Sequence, residues 1–565
     1  MDLANLIAVS RGDKEADLIL KNARIVNTFI GKVQQDNVAI YKDKIAGVGG
    51  YNDGKKIIDL QGDYLAPALM NGHVHIESSM LHPFYYAQAL VPKGVISVFT
   101  DLHEITNVCG LEGIKFVMYW AEKLPMNIFF MTPSCVPATN KETSGFNLTL
   151  EDINEVLNYP EIIGLGEMMN FEGIINGQEE ELEKLLLAEG KVIDGHAPNL
   201  RGKELNAYLS AGIFSDHETT EYEEGKEKLE KGMFLMIREG STEKNLDTLL
   251  PLVNDNTYRR CILVTDDKSC FDLLKEGDID HVVREAIGKG LDPIRAIQLT
   301  TINTAEYFGL IHKGGIGPGY SADLITLKNL ERLEVDKVFY QGNLVSKKGK
   351  SLFSIPKIPM ELNNTINIKP FDQEDLQLRA KTDQKKQERA IIEIIPGQII
   401  TKKIKDFMEV KGGLIHPNKK KDILKLVVVE RHHASGNMGI GLVKGFGLQS
   451  GAIGSTHAHD SHNIVCIGTN DSDIFNAIQE INKMQGGFVV SKDEEIMAKV
   501  PLPIAGLLSN KPLKDVVNEY DKLLKEADKL GDLPPAPIDI LSFLTLAVIP
   551  EIRLTDLGLV DLTDT

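Results

Sequence analysis

The sequence predicts an α/β fold: a (β/α)8 TIM-like barrel, a small β-sandwich domain split between both flanks of the barrel, and a C-terminal α+β domain. Three observations point there. Apolar runs of buried-strand type recur roughly every 20–35 residues, the length of a βα unit, and eight of them fit between residues 64 and 265. Two strand-rich, glycine-punctuated segments flank that stretch. Beyond Lys350 the texture changes again, and 565 residues exceed what one hydrophobic core supports.

The first flank, 16–65, holds β-branched runs such as 17–26 and 37–41, broken by Gly31, Gly47, Gly49, Gly50 and Gly54. Its counterpart opens at Gly317-Pro-Gly-Tyr and ends near Val345, so one composite β domain over 1–65 plus 312–355 is expected. Barrel strands are expected at 64–71, 95–100, 128–132, 162–166, 192–195, 213–215, 234–237 and 261–265, within a barrel domain over 66–311. Residues 356–387 read as a linker or domain edge, and 388–565 as the α+β domain.

Composition excludes several classes of function. A net charge of −19 disfavours a nucleic-acid surface, which needs basic patches. The short lysine runs at 402–405 and 419–421 lack interleaved aromatics and read as solvated surface. Met1 to Ser10 is no secretory leader, and the apolar stretch 540–549 is too short to span a bilayer. Five scattered cysteines without CxxC spacing suit reduced thiols, so a cytoplasmic protein without a membrane partner is expected.

Catalytic groups of a parallel barrel come from the carboxyl ends of its strands, and the polar clusters lie at those ends. His73 and His75 follow the first strand; two residues apart on an extended chain, they point to one side and can reach one metal ion. Glu167 ends the fourth strand, where a carboxylate can bridge two cations. His196 ends the fifth strand, His217 the sixth, and Asp266 with its neighbour Asp267 the eighth. Each alone is an ordinary loop or core residue; the ordered set reads as the metal centre of a hydrolase.

This order, the strand positions and the split β domain resemble the amidohydrolase superfamily. Within it, Asn71-Gly-His-Val-His-Ile-Glu-Ser-Ser-Met-Leu, Thr100-Asp-Leu-His-Glu, Gly166-Glu-Met-Met-Asn-Phe, Gly195-His-Ala-Pro and Ser215-Asp-His-Glu are similar to the bacterial and archaeal adenine deaminase family. Val429-Glu-Arg-His-His-Ala-Ser-Gly-Asn and Ala458-His-Asp-Ser-His-Asn resemble that family's own C-terminal domain. Glu167 stands where many two-metal amidohydrolases carry a carboxylated lysine, which argues against a dihydroorotase-like enzyme. Leu102 stands where a proline would be expected before His103.

The resemblance implies hydrolysis of adenine to hypoxanthine and ammonia by a metal-activated hydroxide attacking C6, within purine metabolism and salvage. It implies two divalent ions, Mn2+ or Fe2+, with Zn2+ also compatible with the donors. His73, His75 and Asp266 would hold one ion, His196 and His217 the other, and Glu167 both. Asp266 would act as general base and then acid, with Asp267 the alternative that spacing does not separate. Asp101, His103 and Glu104 would form a supporting layer or an extra cation site, against the plainer reading of solvated loop groups. Asn170 and Phe171 would hydrogen-bond and stack on the purine, against packing under the barrel rim. From the dense C-terminal set His432, His433, His457, His459, Asp460, His462 and Asn463, a lid is expected with Asp460 and His462 nearest the substrate. A separate metal site or a domain interface competes with that reading. The alternative functions are a cyclic-amide or lactam hydrolase of the same superfamily, and a scaffold that has lost its chemistry. A homo-oligomer, by default a homodimer, is the expected assembly.

Overall fold

A computed structural model describes residues 2–354, 362–382, 384–396, 398 and 400–563. Among them eight parallel strands follow in chain order: Leu69–Val74, Val95–Asp101, Asn127–Thr132, Ile162–Met168, Val192–Gly195, Ser215–Asp216, Phe234–Arg238 and Cys261–Val264. The first five form one ladder and the last three another. Hydrogen bonds at both seams join them into a ring. Gly195 N–H donates to Ser215 Oγ at 3.0 Å between the fifth and sixth strands. Asp266 N–H donates to the His73 carbonyl at 3.0 Å between the eighth and the first. Gly195 permits the first of these contacts, because a Cβ there would stand 1.9 Å from the Ser215 carbonyl oxygen.

The apolar run at 64–71 is a correction to the sequence reading. It is two strands in different sheets: Tyr64–Pro67 pairs with Leu324–Leu327, and Leu69–Val74 opens the barrel. Both pieces are buried, so hydrophobicity carries no mark of the break, which falls just after Pro67. The fourth strand also runs past its expected end, so Glu167 lies inside it.

One end of the barrel is closed by Met70, Phe99, Met131, Met236, Ile262, Val264 and Phe308, with Phe99 stacked on Phe308 at 3.8 Å. This apolar plug leaves the carboxyl ends of the strands as the place for polar chemistry.

Strands from both flanks meet in one sheet, in which Ala16–Asn27 pairs with Tyr64–Pro67 and that strand with Leu324–Leu327. The expected linker lies partly outside the described residues, at 356–361 and 383. From Lys386 a nine-stranded sheet begins, packed against the helices Asp471–Met484 and Leu513–Ala527. No helix among the described residues is long and apolar enough to cross a membrane.

Candidate active site

The fold brings His73, His75, Glu167, His196, His217 and Asp266 together at the barrel mouth. Glu167 is 4% exposed and sits at the centre of the group. Its Oε1 lies 3.3 Å from His75 Nε2 and 3.6 Å from His103 Nδ1. Its Oε2 lies 2.8 Å from His196 Nδ1 and 3.2 Å from His217 Nε2. Burial alone would raise this carboxyl, but His196, His217 and His75 outweigh it and hold the group well below the ordinary range.

Gly166 is what lets Asp101 support Glu167. A Cβ at that position would lie 1.8 Å from Asp101 Oδ2, the atom that accepts the Glu167 N–H at 3.0 Å. Asp101 Oδ1 accepts the His103 N–H at 3.0 Å, so one carboxylate fixes both the strand and the helix start beside it.

The adjacent aspartates separate by geometry. Asp266 adopts the left-handed conformation (φ 61), which Asp tolerates better than most residues. Its Oδ1 stands 3.2 Å from His75 Nε2 and 3.8 Å from His73 Nε2. Asp267 instead accepts a short hydrogen bond from Ser78 Oγ.

The donor set fits divalent cations on a test of tautomers. His73 Nδ1–H donates to Asp194 Oδ2 at 2.9 Å, and His75 Nδ1–H donates to the Asp101 carbonyl at 3.1 Å. In a neutral ring that leaves the lone pair on Nε2 in both cases. His73 Nε2 is buried with no hydrogen-bond partner, and His75 Nε2 faces two carboxylates. Lone pairs turned toward carboxylates call for positive charge between them, a proton or a metal. Burial opposes protonation of His75, but Asp266 and Glu167 outweigh it and hold the ring well above its ordinary value.

Sequence reasoning passed over the supports of this cluster. Arg238, the last residue of the seventh strand, donates from Nη1 to Asp266 Oδ2 at 2.7 Å and grips Glu218 as well. Lys228 is fully buried and donates to Glu224 (2.6 Å), the Ala197 carbonyl (2.7 Å) and Asp216 (3.0 Å). Asp216 in turn accepts the Ala197 N–H at 2.7 Å, so this ion cluster ties the segment bearing His196 to the one bearing His217. Lys228→Met strands two buried carboxylates and is expected to cost about 3–5 kcal/mol, read as a lower denaturant midpoint. The only signals available in the sequence are adjacency, for Asp216 and Glu218, and a strand-end position for Arg238.

The C-terminal domain meets the barrel at Glu104. His459 Nδ1 lies 2.6 Å from Glu104 Oε1, and His462 Nε2 makes a short contact with Glu104 Oε2. Ala458 N–H donates to His462 Nδ1 at 3.3 Å, which puts the proton of a neutral ring on Nε2, aimed at Glu104. These three side chains are close enough to hold an ion, yet this proton placement favours hydrogen bonds. Burial would raise Glu104, but His459 and His462 outweigh it and hold it well below its usual range. Asp460 is buried with Oδ2 unpartnered, and burial pushes its carboxyl up to about 6. His433 and Asn463 serve as latches to the barrel, bonding to the carbonyls of Ser144 (2.9 Å) and Thr143 (2.8 Å), while His432 bonds within its own domain to the Ser461 carbonyl at 2.8 Å. The sequence reading includes His459 in this string but puts only Asp460 and His462 nearest the substrate.

Asn170 and Phe171 have partners outside the ligand group. Asn170 Oδ1 caps a helix by accepting the Gly173 N–H at 3.0 Å, and its Nδ2 donates to Glu181 at 3.0 Å. Phe171 packs, partly buried, against the main core.

Comparison with known proteins matches this architecture. Residues 64–345 fit the model of the amidohydrolase family, and residues 398–565 fit that of the adenine deaminase C-terminal domain. The chain is 54% identical to an adenine deaminase of Dehalococcoides mccartyi (strain BAV1), over 99% of this chain and 98% of that one. It belongs to the adenine deaminase family. Adenine deaminase 2 of Carboxydothermus hydrogenoformans is 46% identical, over 99% of this chain and 98% of that one. An adenine deaminase of Kosmotoga olearia is 42% identical, over 99% of this chain and 97% of that one. Amidohydrolases are metal-dependent, and the His and carboxylate groups described above are this family member's candidates for metal ligands.

Proposed function

We propose that the protein deaminates adenine hydrolytically, giving hypoxanthine and ammonia, at the centre built around Glu167. The observation that carries this reading is the convergence of His75, His196 and His217 on one carboxylate, beneath a C-terminal domain matched by the adenine deaminase model. Two divalent cations, Mn2+ or Fe2+, fit the donors: His73, His75 and Asp266 for one, His196 and His217 for the other, with Glu167 shared. Zn2+ satisfies the same atoms. When bound, such ions lower the pKa of water and make it a nucleophile at neutral pH.

The chain's own residues then manage position and protons. Asp266, kept ionised by His75 and Arg238 against the effect of burial, accepts the proton of the attacking water and returns it to the departing N6. Arg238 holds the Asp266 carboxylate in the orientation that faces His73 and His75. Asp101 and His103 buttress Glu167. His459 and His462 clamp Glu104, and Asp460 offers its unpartnered Oδ2 to the substrate from the C-terminal wall. Because His462 acts through Glu104, His462→Ala is expected to lower kcat/KM about 10–100-fold without unfolding the protein. Restoration by His462→Gln, whose amide can donate to Glu104, checks that role by steady-state kinetics.

The five cysteines are free thiols, which suits a reducing cytoplasm, and a homo-oligomer is the expected assembly. The test is direct. Protein loaded anaerobically with Mn2+ or Fe2+ should consume adenine with matching ammonia release and leave adenosine untouched. Metal-loaded protein that spares adenine but opens a cyclic amide would overturn the proposal.

A further inference from the structure

A cavity lies between the barrel mouth and the C-terminal domain, beside the His459–Glu104 contact that holds the two together. On the barrel side it is lined by Ser78 and Asp267, next to the first and eighth strands; Phe488, His459, Asp539 and Phe543 line the other side. Among its lining residues, Asp267 is next in the chain to Asp266, and its charge acts on His75. Its far wall is aromatic, with Phe543 stacked on His459 at 5.3 Å between ring centroids and 18° between planes. Aromatic faces set among hydroxyls, imidazoles and acids can both stack on and hydrogen-bond a planar heterocycle.

Asp539 is the unexplained group in this cavity. It is half-buried and makes no hydrogen bond or ion pair with any described residue, although the other acid on the wall, Asp267, is bonded to Ser78. The charges around it are Asp272, His459 and Asp267. The geometry points to Asp539 as the specificity residue that reads the N3/N9–H edge of the purine and so selects the free base over N9-substituted forms. This inference rests on the adenine reading above. With C6 turned to the metal ligands, N3 and N9 are turned away from them, toward the far wall of the cavity. A carboxyl group there accepts from N9–H, and in its protonated form also donates to N3, a two-point match that an N9 substituent destroys. Burial, helped by Asp272, pushes the carboxyl up to about 6, which favours that form. A site that leaves a buried polar group unpaired against the wrong ligand discriminates strongly.

The experiment compares Asp539→Ala and Asp539→Asn with the wild type, using adenine as substrate and 9-methyladenine as competitive inhibitor. Asp539→Ala should raise KM for adenine about tenfold or more with kcat within about threefold, and should narrow the gap between adenine KM and 9-methyladenine Ki. Asp539→Asn keeps an acceptor and a donor in the same shape and should restore both values. That rescue separates recognition from a fold defect, which would lower kcat and thermal midpoint in both variants. Unchanged KM and unchanged selectivity in Asp539→Ala, with the wild type active on adenine, would overturn this inference alone. A wild type inactive on adenine would instead overturn the functional reading beneath it.

Discussion

Glu167→Gln should lower kcat/KM for adenine by about 10³-fold or more. The carboxylate is shared by four imidazoles, those of His75, His103, His196 and His217, within 2.8–3.6 Å. A neutral amide would remove the negative charge by which Glu167 would hold cations on the proposed assignment, and it would offer one oxygen in place of two. Losing about 4 kcal/mol of transition-state stabilisation corresponds to about 10³ in rate. The backbone of the strand should survive, because Asp101 still accepts the N–H of residue 167. Metal analysis of the purified variant should show fewer than two ions per chain. Full activity with a full metal complement would remove Glu167 from the centre.

Asp266→Asn should lower kcat by about 10²–10⁴-fold, the usual worth of a positioned general base, with a smaller change in KM. Its Oδ2 is already held by Arg238 and its Oδ1 faces His75 and His73, so an isosteric amide keeps the shape and loses the proton acceptor. Arg238 would remain paired with Glu218, which protects the fold. Asp267→Asn serves as the comparison. Because Asp267 bonds to Ser78 and does not reach the histidines, its kcat should fall far less. Equal losses in the two variants would contradict the assignment of proton transfer to Asp266.

Much of the fold was legible because a barrel repeats one local rule. Buried strands are short apolar runs with polar residues at or near their carboxyl ends, and His73, Glu167, His196, His217 and Asp266 all sit there, Glu167 one residue inside its strand. The rule failed where two sheets share one apolar run, at 64–71, since burial looks the same in both. Arg238 and Lys228 were not legible: each is an ordinary charged residue until the fold turns it inward among carboxylates. The Glu104–His462 contact joins groups 358 residues apart, and sequence could name each group as a candidate without pairing them. Asn170 shows what adjacency in the chain leaves open. It stands three residues from Glu167 in the chain, but helix capping turns its amide oxygen to Gly173.

On the proposed assignment, six side chains of the barrel hold the metal on which adenine deamination depends. Stripped protein should be titrated with Mn2+ under anaerobic conditions, following bound metal and ammonia release from adenine in the same samples. The account predicts activity that rises until two ions are bound per chain and then stays level. Full turnover by metal-free protein, or two bound ions with adenine left intact, would contradict it.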